Sequence, residues 1–212
     1  MTRTVALWIL GAGGHGRVVA DAARSQGGWS EILFFDDSPR GDLVDGVRVA
    51  GGSAAYFEPG EAARIVAIGD NRRREVMTTR CIAEGLMLAS VVHGRASVSP
   101  ASIIGPGSFV AAMGVVGPGA RLGLACIVNT SASVDHDCIL GDAVHVSPGA
   151  HLGGNVVVGH RSWVGIGAAI RQGEVIGVDA MVAAGAVVVS AVADNTQVAG
   201  VPARPRVDAP DA

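Results

Sequence analysis

The fold class this sequence predicts is a small α/β unit with a parallel sheet, followed by a triangular β-solenoid built from hexapeptides. Three observations predict it. Every sixth residue from Val92 to Val188 is Val, Ile or Leu, seventeen positions in succession. The residue four places after each is usually small, as at Ser102, Ser108, Ala120, Cys126, Ala132 and Cys138. Ahead of the repeat, a Gly-rich turn follows one apolar run, and a second apolar run ends in Asp36-Asp37, which is the pattern of a β-α-β unit.

Taken in order, Val5 to Leu10 is a buried strand and Gly11-Ala12-Gly13-Gly14-His15-Gly16 a tight turn. Arg17 to Gln26, rich in helix formers, is a helix. Ile32 to Phe35 is a second strand, and Val44 to Val49 around Asp45-Gly46 a hairpin. Arg64 to Ile68 is a third strand, and Gly69-Asp70-Asn71 leads into a charged helix from Arg72 to Glu84. This unit occupies residues 1–85, and the solenoid with its closing segment occupies 86–212.

In the solenoid each hexapeptide supplies one flat side and one corner, and three sides make a coil of about eighteen residues. The aliphatic points inward and stacks on its counterpart one coil along. The small residue shares the narrow interior, where a larger one would overpack. Gly and Asn serve corners that need unusual backbone angles. After Val188 the period ends. Gly200-Val201-Pro202-Ala203-Arg204 closes the prism, and Val207 to Ala212 is a frayed polar tail.

Composition narrows the function. With 16 basic and 19 acidic side chains the net charge is −3, which offers no surface for nucleic acid and no polybasic membrane anchor. No apolar run approaches the length of a spanning helix. The amino terminus runs directly into a Gly-rich turn and reads as a first strand, not a signal peptide. Cys81, Cys126 and Cys138 are odd in number and lack metal-site spacing, so they read as reduced, buried residues of a cytoplasmic protein that holds no metal.

Gly11, Gly13 and Gly16 satisfy G-x-G-x-x-G between a strand and a helix, and Asp36 lies twenty residues beyond Gly16. Bare N–H groups at a helix start bind a diphosphate, and a carboxylate at the next strand end can hold a ribose or base. A nucleotide-sugar fits these requirements as well as NAD does. A turn that only packs helix on sheet would have no need of the His15 imidazole. An NAD-binding oxidoreductase is disfavoured because the unit lacks the second mononucleotide-binding half.

The densest polar chemistry is Asn129-Thr-Ser-Ala-Ser-Val-Asp-His136-Asp137-Cys138. His136 falls at a corner, pointing outward, between Asp135 and Asp137. A neighbouring carboxylate raises an imidazole's pKa and fixes its tautomer, which suits a general base. The bland alternative is a solvated surface histidine. One coil along on the same corner stands Gly154, whose bare N–H could polarise a carbonyl. His145 lies half a coil round, and Pro148, Ile166 and Ala184 form an apolar column on a different edge. Cys138 holds the small inward phase, so a covalent route through it is a lesser option. His151 and His160 read as surface residues, and His93 as a junction residue.

The Gly-Ala-Gly-Gly-His-Gly-Arg opening, Phe-Phe-Asp-Asp, Ile-Gly-Asp-Asn, Asn-Thr-Ser-Ala-Ser-Val-Asp-His-Asp-Cys and Val-Ala-Gly-Val-Pro-Ala-Arg together resemble the NeuD/PglD/PerB family of nucleotide-sugar acetyltransferases. The resemblance runs from residue 5 to about 206. It implies a Rossmann-like nucleotide-sugar domain on a left-handed parallel β-helix, assembled as a homotrimer, with acetyl-CoA between adjacent β-helices. It implies N-acetylation of the 4-amino group of a UDP- or GDP-linked 4-amino-4,6-dideoxy sugar, with O-acetylation of a sialic acid as the alternative. By position, His136 matches the general base and Asp137 its carboxylate partner. His145, Gly154, Ile166 and Ala184 match acetyl-CoA contacts. Gly13, Gly14, His15, Asp36, Asp37 and Gly69 match nucleotide-sugar contacts. Gly13 stands where PglD has Ser, and Ala184 where PglD has Gly.

Overall fold

The computed structural model describes residues 4–39 and 41–206; the tail expected from Val207 to Ala212 lies outside them. The first unit contains β1 (Leu7–Leu10), α1 (Gly14–Gln26), β2 (Ile32–Phe35), β3 (Leu43–Val44), β4 (Val47–Gly51), α2 (Ser53–Tyr56), β5 (Ala63–Val66) and α3 (Asn71–Ala83). The sheet order is β3-β4-β2-β1-β5, parallel except for the β3–β4 hairpin. Strand β1 has β2 on one side and β5 on the other, so the strand order switches sides at its carboxyl end, where open α/β sheets bind ligands. There is no second mononucleotide half among the described residues.

Helix α1 begins inside the Gly-rich turn, three residues earlier than its side chains suggest, because Gly13 caps it with extended backbone. Gly16 lies in the first turn against the Gly11 carbonyl and the Phe34 ring, leaving no room for a Cβ. Gly11 has φ +104° and packs on the Ala67 carbonyl. These two glycines are structural. Gly13 and Gly14 face open space, with no atom within 4 Å of an added Cβ.

From Val91 onward, two-residue strands build a three-sided prism. Face I carries Val91, Phe109, Ile127, His145, Trp163 and Met181 outward; face II carries Ser97, Val115, Ser133, His151, Ala169 and Val187; face III carries Ile103, Arg121, Ile139, Val157 and Val175. The hexad aliphatics stack inside with the small residues, as the period requires. Val144, Val156 and Glu174 are larger than the interior rule allows. Glu174 is buried and its carboxylate turns to Arg171. Every sixth residue from Gly107 to Gly185 is left-handed, with φ between +53° and +74°. Gly and Asn were the expected occupants, yet Met113, Ala125, Ala143 and Arg161 hold this conformation too. Hydrogen bonds between coils, such as Asn155 N–H to the His136 carbonyl at 2.9 Å, hold them there.

The α/β unit sits on face I. Val91, Phe109, Ala111 and Ile127 share one hydrophobic core with Leu7, Ile9 and Val19, so the two units are packed together. Face III is left bare: Ile103, Ile139, Val157 and Val175 are exposed in line. No helix among the described residues is long and apolar enough to cross a membrane.

Candidate active site

His136 and Asp137 lie on the edge between faces II and III, opposite face I. Asp137 is one of the left-handed corner residues, φ +58°, which turns its carboxylate back on its neighbour: His136 Nδ1 and Asp137 Oδ2 are 2.9 Å apart. The His136 amide donates to Asp135 Oδ1 at 2.8 Å. Both side chains of the pair are about half exposed, 51% and 60%. The hydrogen bond to Asp137, helped by the field of Asp135, raises the imidazole above its ordinary pKa of 6.5. With Nδ1 held by the carboxylate, Nε2 is the free basic atom.

Two glycines make room for this pair. The His136 ring covers Gly154, one coil along, where an added Cβ would come 2.9 Å from Cδ2 and closer still to Cε1 and Nε2. One coil back, the Asp137 carboxylate covers Gly119 in the same way. Gly154 has ordinary backbone angles, so its lack of a side chain serves the ring and not the turn. Its N–H has no protein acceptor among the described residues. An imidazole with a free ring nitrogen therefore lies over a glycine whose N–H is unspent. Cys138, inward of them, is buried, its thiol against the Gly153 carbonyl at 3.2 Å, and burial raises its pKa. It has neither the access nor the ionisation of a nucleophile.

The other expected coenzyme residues are elsewhere. Ile166 and Ala184 lie exposed on the edge between faces I and II, stacked with Pro148. His145 is on face I, 8% exposed, its ring stacked on Trp163 at 4.7 Å and its Nε2 3.2 Å from Asn129 Nδ2. Its buried Nδ1 has no partner among the described residues. Burial, then the charge of Arg74, lowers its pKa to about 3, so the ring is neutral. Within one chain these residues and His136 are on different edges of the prism.

In the α/β unit, Gly13, Gly14 and Gly69 are exposed at the carboxyl side of the sheet. A cleft of about 400 Å³ is lined by Gly11, Asp36, Asp37, Phe57, Met77 and Arg80, among others. Asp36 accepts from the Ala12 and Ser38 amides, both at 2.8 Å, so it fastens the Gly-rich loop to the end of β2. Asp37 accepts from the Ser53 amide at 2.7 Å, which holds its carboxyl below the usual carboxylate range. His15 turns away from the loop, edge-on to Phe109 at 5.3 Å. Burial, then Arg74, lowers its pKa to about 4. The imidazole that looked out of place in a turn is a neutral side chain of the domain interface.

Sequence reasoning passed over Gly119, Asn129 and Arg74. Gly119 was reachable by subtracting one coil from Asp137. Asn129 stood within a quoted motif without a role. Arg74 gave no signal, since one arginine among Arg72-Arg73-Arg74 reads as a solvated helix face. His151 meets Ser133 on face II at 2.8 Å and His93 packs by Ser25, neither near His136. Glu75, Asp142 and His160 have ligand atoms within 4.8 Å of one another, but Glu75 is bound to Arg161 and Asp142 to the Leu124 amide.

Comparison with known proteins adds independent findings. A family model of the PglD N-terminal domain matches residues 6–81. The acetyltransferase domain of PglB from Neisseria gonorrhoeae FA1090 is 43% identical over 96% of this chain and all of that one, with a TM-score of 0.92; its complex with acetyl coenzyme A gives 0.93. PerB from Caulobacter crescentus, in complex with CoA and GDP-perosamine, is 37% identical over 95% of this chain and 97% of its own, with a TM-score of 0.89. WeeI from Acinetobacter baumannii AYE is 27% identical over 96% of this chain and all of its own, at 0.87. The Rossmann-like domain on a left-handed parallel β-helix expected from the sequence is the fold these proteins share with it.

Proposed function

The chain belongs to the PglD/PerB family of nucleotide-sugar acetyltransferases, and from that premise we propose that it transfers the acetyl group of acetyl-CoA to the 4-amino group of a nucleotide-linked 4-amino-4,6-dideoxy sugar. The observation that carries the mechanism is the His136–Asp137 pair seated over Gly154. His136 Nε2 removes a proton from the sugar's amino nitrogen as that nitrogen attacks the thioester carbonyl. The C–N bond forms, the Gly154 N–H faces the oxyanion, and the C–S bond breaks as the tetrahedral centre collapses. The proton on Nε2 returns to the departing thiolate. General-base help of this kind contributes about 10²–10⁴-fold.

The active species is a homotrimer. The bare aliphatic line on face III is what a partner would cover. The edge carrying His136 lies opposite the face carrying the α/β unit, so a sugar held by Gly13, Gly14, Asp36, Asp37 and Gly69 serves a neighbour's imidazole. Acetyl-CoA occupies the space between adjacent prisms, bounded by His136 and Gly154 of one copy and by His145, Ile166 and Ala184 of the next.

Two measurements test this. Thiol release from acetyl-CoA is followed with UDP-, GDP-, dTDP- and CMP-linked amino sugars and with free sialic acids; activity on sialic acids alone would replace N- by O-acetylation. Then His136→Ala is co-expressed with Gly13→Trp, whose indole would occupy the open space beside the Gly-rich loop. Neither parent is active. In random mixed trimers about a quarter of the sites combine an intact nucleotide domain with an intact neighbouring His136. No recovered turnover would place both halves of the site in one chain.

A further inference from the structure

Left-handed residues recur every coil along the edge between faces III and I, at Gly107, Ala125, Ala143, Arg161 and Asp179. Helix α3 runs along this edge. Arg74 Nε donates to the Ala125 carbonyl at 2.9 Å and Nη2 to the Ala143 carbonyl at 2.8 Å. Asn71 Nδ2 donates to the Arg161 carbonyl at 2.9 Å. Two side chains one helical turn apart thus take the carbonyls of three consecutive coils. Arg74 Nη2 also donates to Asn71 Oδ1 at 2.7 Å, locking the two together. At the ends of the same row, the Thr78 methyl lies on Gly107 and Arg72 reaches Asp179.

The last donors of Arg74 go the other way. Nη1 donates to the carbonyls of Ile68 and Gly69 at 3.0 and 3.1 Å, in the loop at the mouth of the nucleotide cleft. All five guanidinium N–H groups are therefore spent. The side chain is 1% exposed and no carboxylate touches it among the described residues. Burial lowers its pKa to about 10, so it remains a cation at neutral pH.

A solenoid repeats itself about every 4.8 Å along its axis, so apolar packing, which is non-directional, discriminates weakly between neighbouring coils. Directional hydrogen bonds to three named carbonyls discriminate strongly. We propose that Asn71 and Arg74 are positioning residues for acetyl transfer: they fix the axial height of the nucleotide-sugar loop on the prism, and so the height at which the sugar's amino group meets His136 of the neighbouring copy. The kinetic part rests on the acetyl-transfer reading above; the mechanical part does not.

The test uses the full-length protein. In Arg74→Lys and the milder Asn71→Ala, turnover on the nucleotide-sugar falls at least about thirtyfold in Arg74→Lys, since a displacement near 1 Å costs about 10²-fold. The KM values for both substrates stay within about threefold. His136-dependent acetyl transfer to hydroxylamine, taken as the rate above that of His136→Ala, does not use the nucleotide domain and continues at the wild-type rate. Equal loss on both acceptors, or unchanged turnover per folded molecule in both variants, overturns the proposal. The second readout is independent of activity. The native cysteines are buried, so nitroxides at Glu58→Cys and Ser190→Cys report the distance between the two units. Arg74→Lys broadens that distribution toward one coil step, about 5 Å; a distribution as narrow as the wild type's overturns it. If the wild type acetylates no nucleotide-sugar, the proposed function falls and the distances alone decide the register.

Discussion

Replacing Gly154 by Ala separates the catalytic geometry from the stability of the prism. The added methyl would come 2.9 Å from Cδ2 of His136 and nearer still to Cε1 and Nε2. Carbon atoms settle at about 3.5–4.0 Å, so the ring must retreat by about 1 Å or swing into solvent. Half exposed, it is free to do so. The backbone does not require glycine there, because its φ is not left-handed, and an alanine even restricts the unfolded chain by about 0.4–1 kcal/mol. The expected outcome is a loss of about 10²-fold in turnover with a melting temperature at or slightly above that of the wild type. The assay is steady-state thiol release, beside calorimetry on the same preparation. Gly85→Ala, at φ +68° in the segment after α3, is the converse control: it loses stability and keeps its turnover. Turnover of Gly154→Ala within about threefold of the wild type would refute the placing of the imidazole at the reacting centre.

Three further outcomes follow from the same geometry. His136 must be neutral to act, so kcat/KM rises with pH through its pKa, which Asp137 holds above 6.5; in Asp137→Asn that limb moves to lower pH and the plateau falls, and an unmoved limb would mean that the hydrogen bond is not what tunes the base. Cys138→Ala keeps full turnover, because the thiol is buried against a carbonyl; a large loss would reopen a covalent route. His15 and His145 are held neutral, with pKa values lowered to about 4 and about 3 from 6.5. The unfolded chain therefore takes up more protons in that window, and the melting temperature falls as pH drops from 6.5 toward 4. His15→Phe flattens that slope, and an identical slope in the variant would show that the ring is not desolvated.

What the sequence disclosed, it disclosed through periodicity. Position 136 and position 154 are one coil apart in any hexapeptide solenoid, so the seating of the imidazole over a glycine followed from arithmetic once the period was found. The same arithmetic would have produced Gly119 beneath Asp137. The corner backbone was less legible. Left-handed angles recur every six residues, yet the residues that adopt them include Ala and Met, whose intrinsic preference is against it. Repeated hydrogen bonding between coils overrides local preference there, and a residue-by-residue reading cannot see a neighbour eighteen positions away.

Face and edge raise a different problem. The period states that His136 points outward, but not which face the α/β unit covers, because all three faces read alike along the chain. That choice is made by side chains with no periodic signature: Arg74 and Asn71 reaching corner carbonyls, and Phe109 entering the core of the other unit. It decides the chemistry. With face I covered, the imidazole stands on the far edge and Ile166 and Ala184, the residues proposed for the coenzyme, on another, so one chain alone would not join the two halves of the proposed site. In the proposed trimer that edge, beside the exposed aliphatics of face III, is where a second copy would supply the missing half. In that trimer the helix that fixes one unit on the other would bear on a reaction completed by a different molecule.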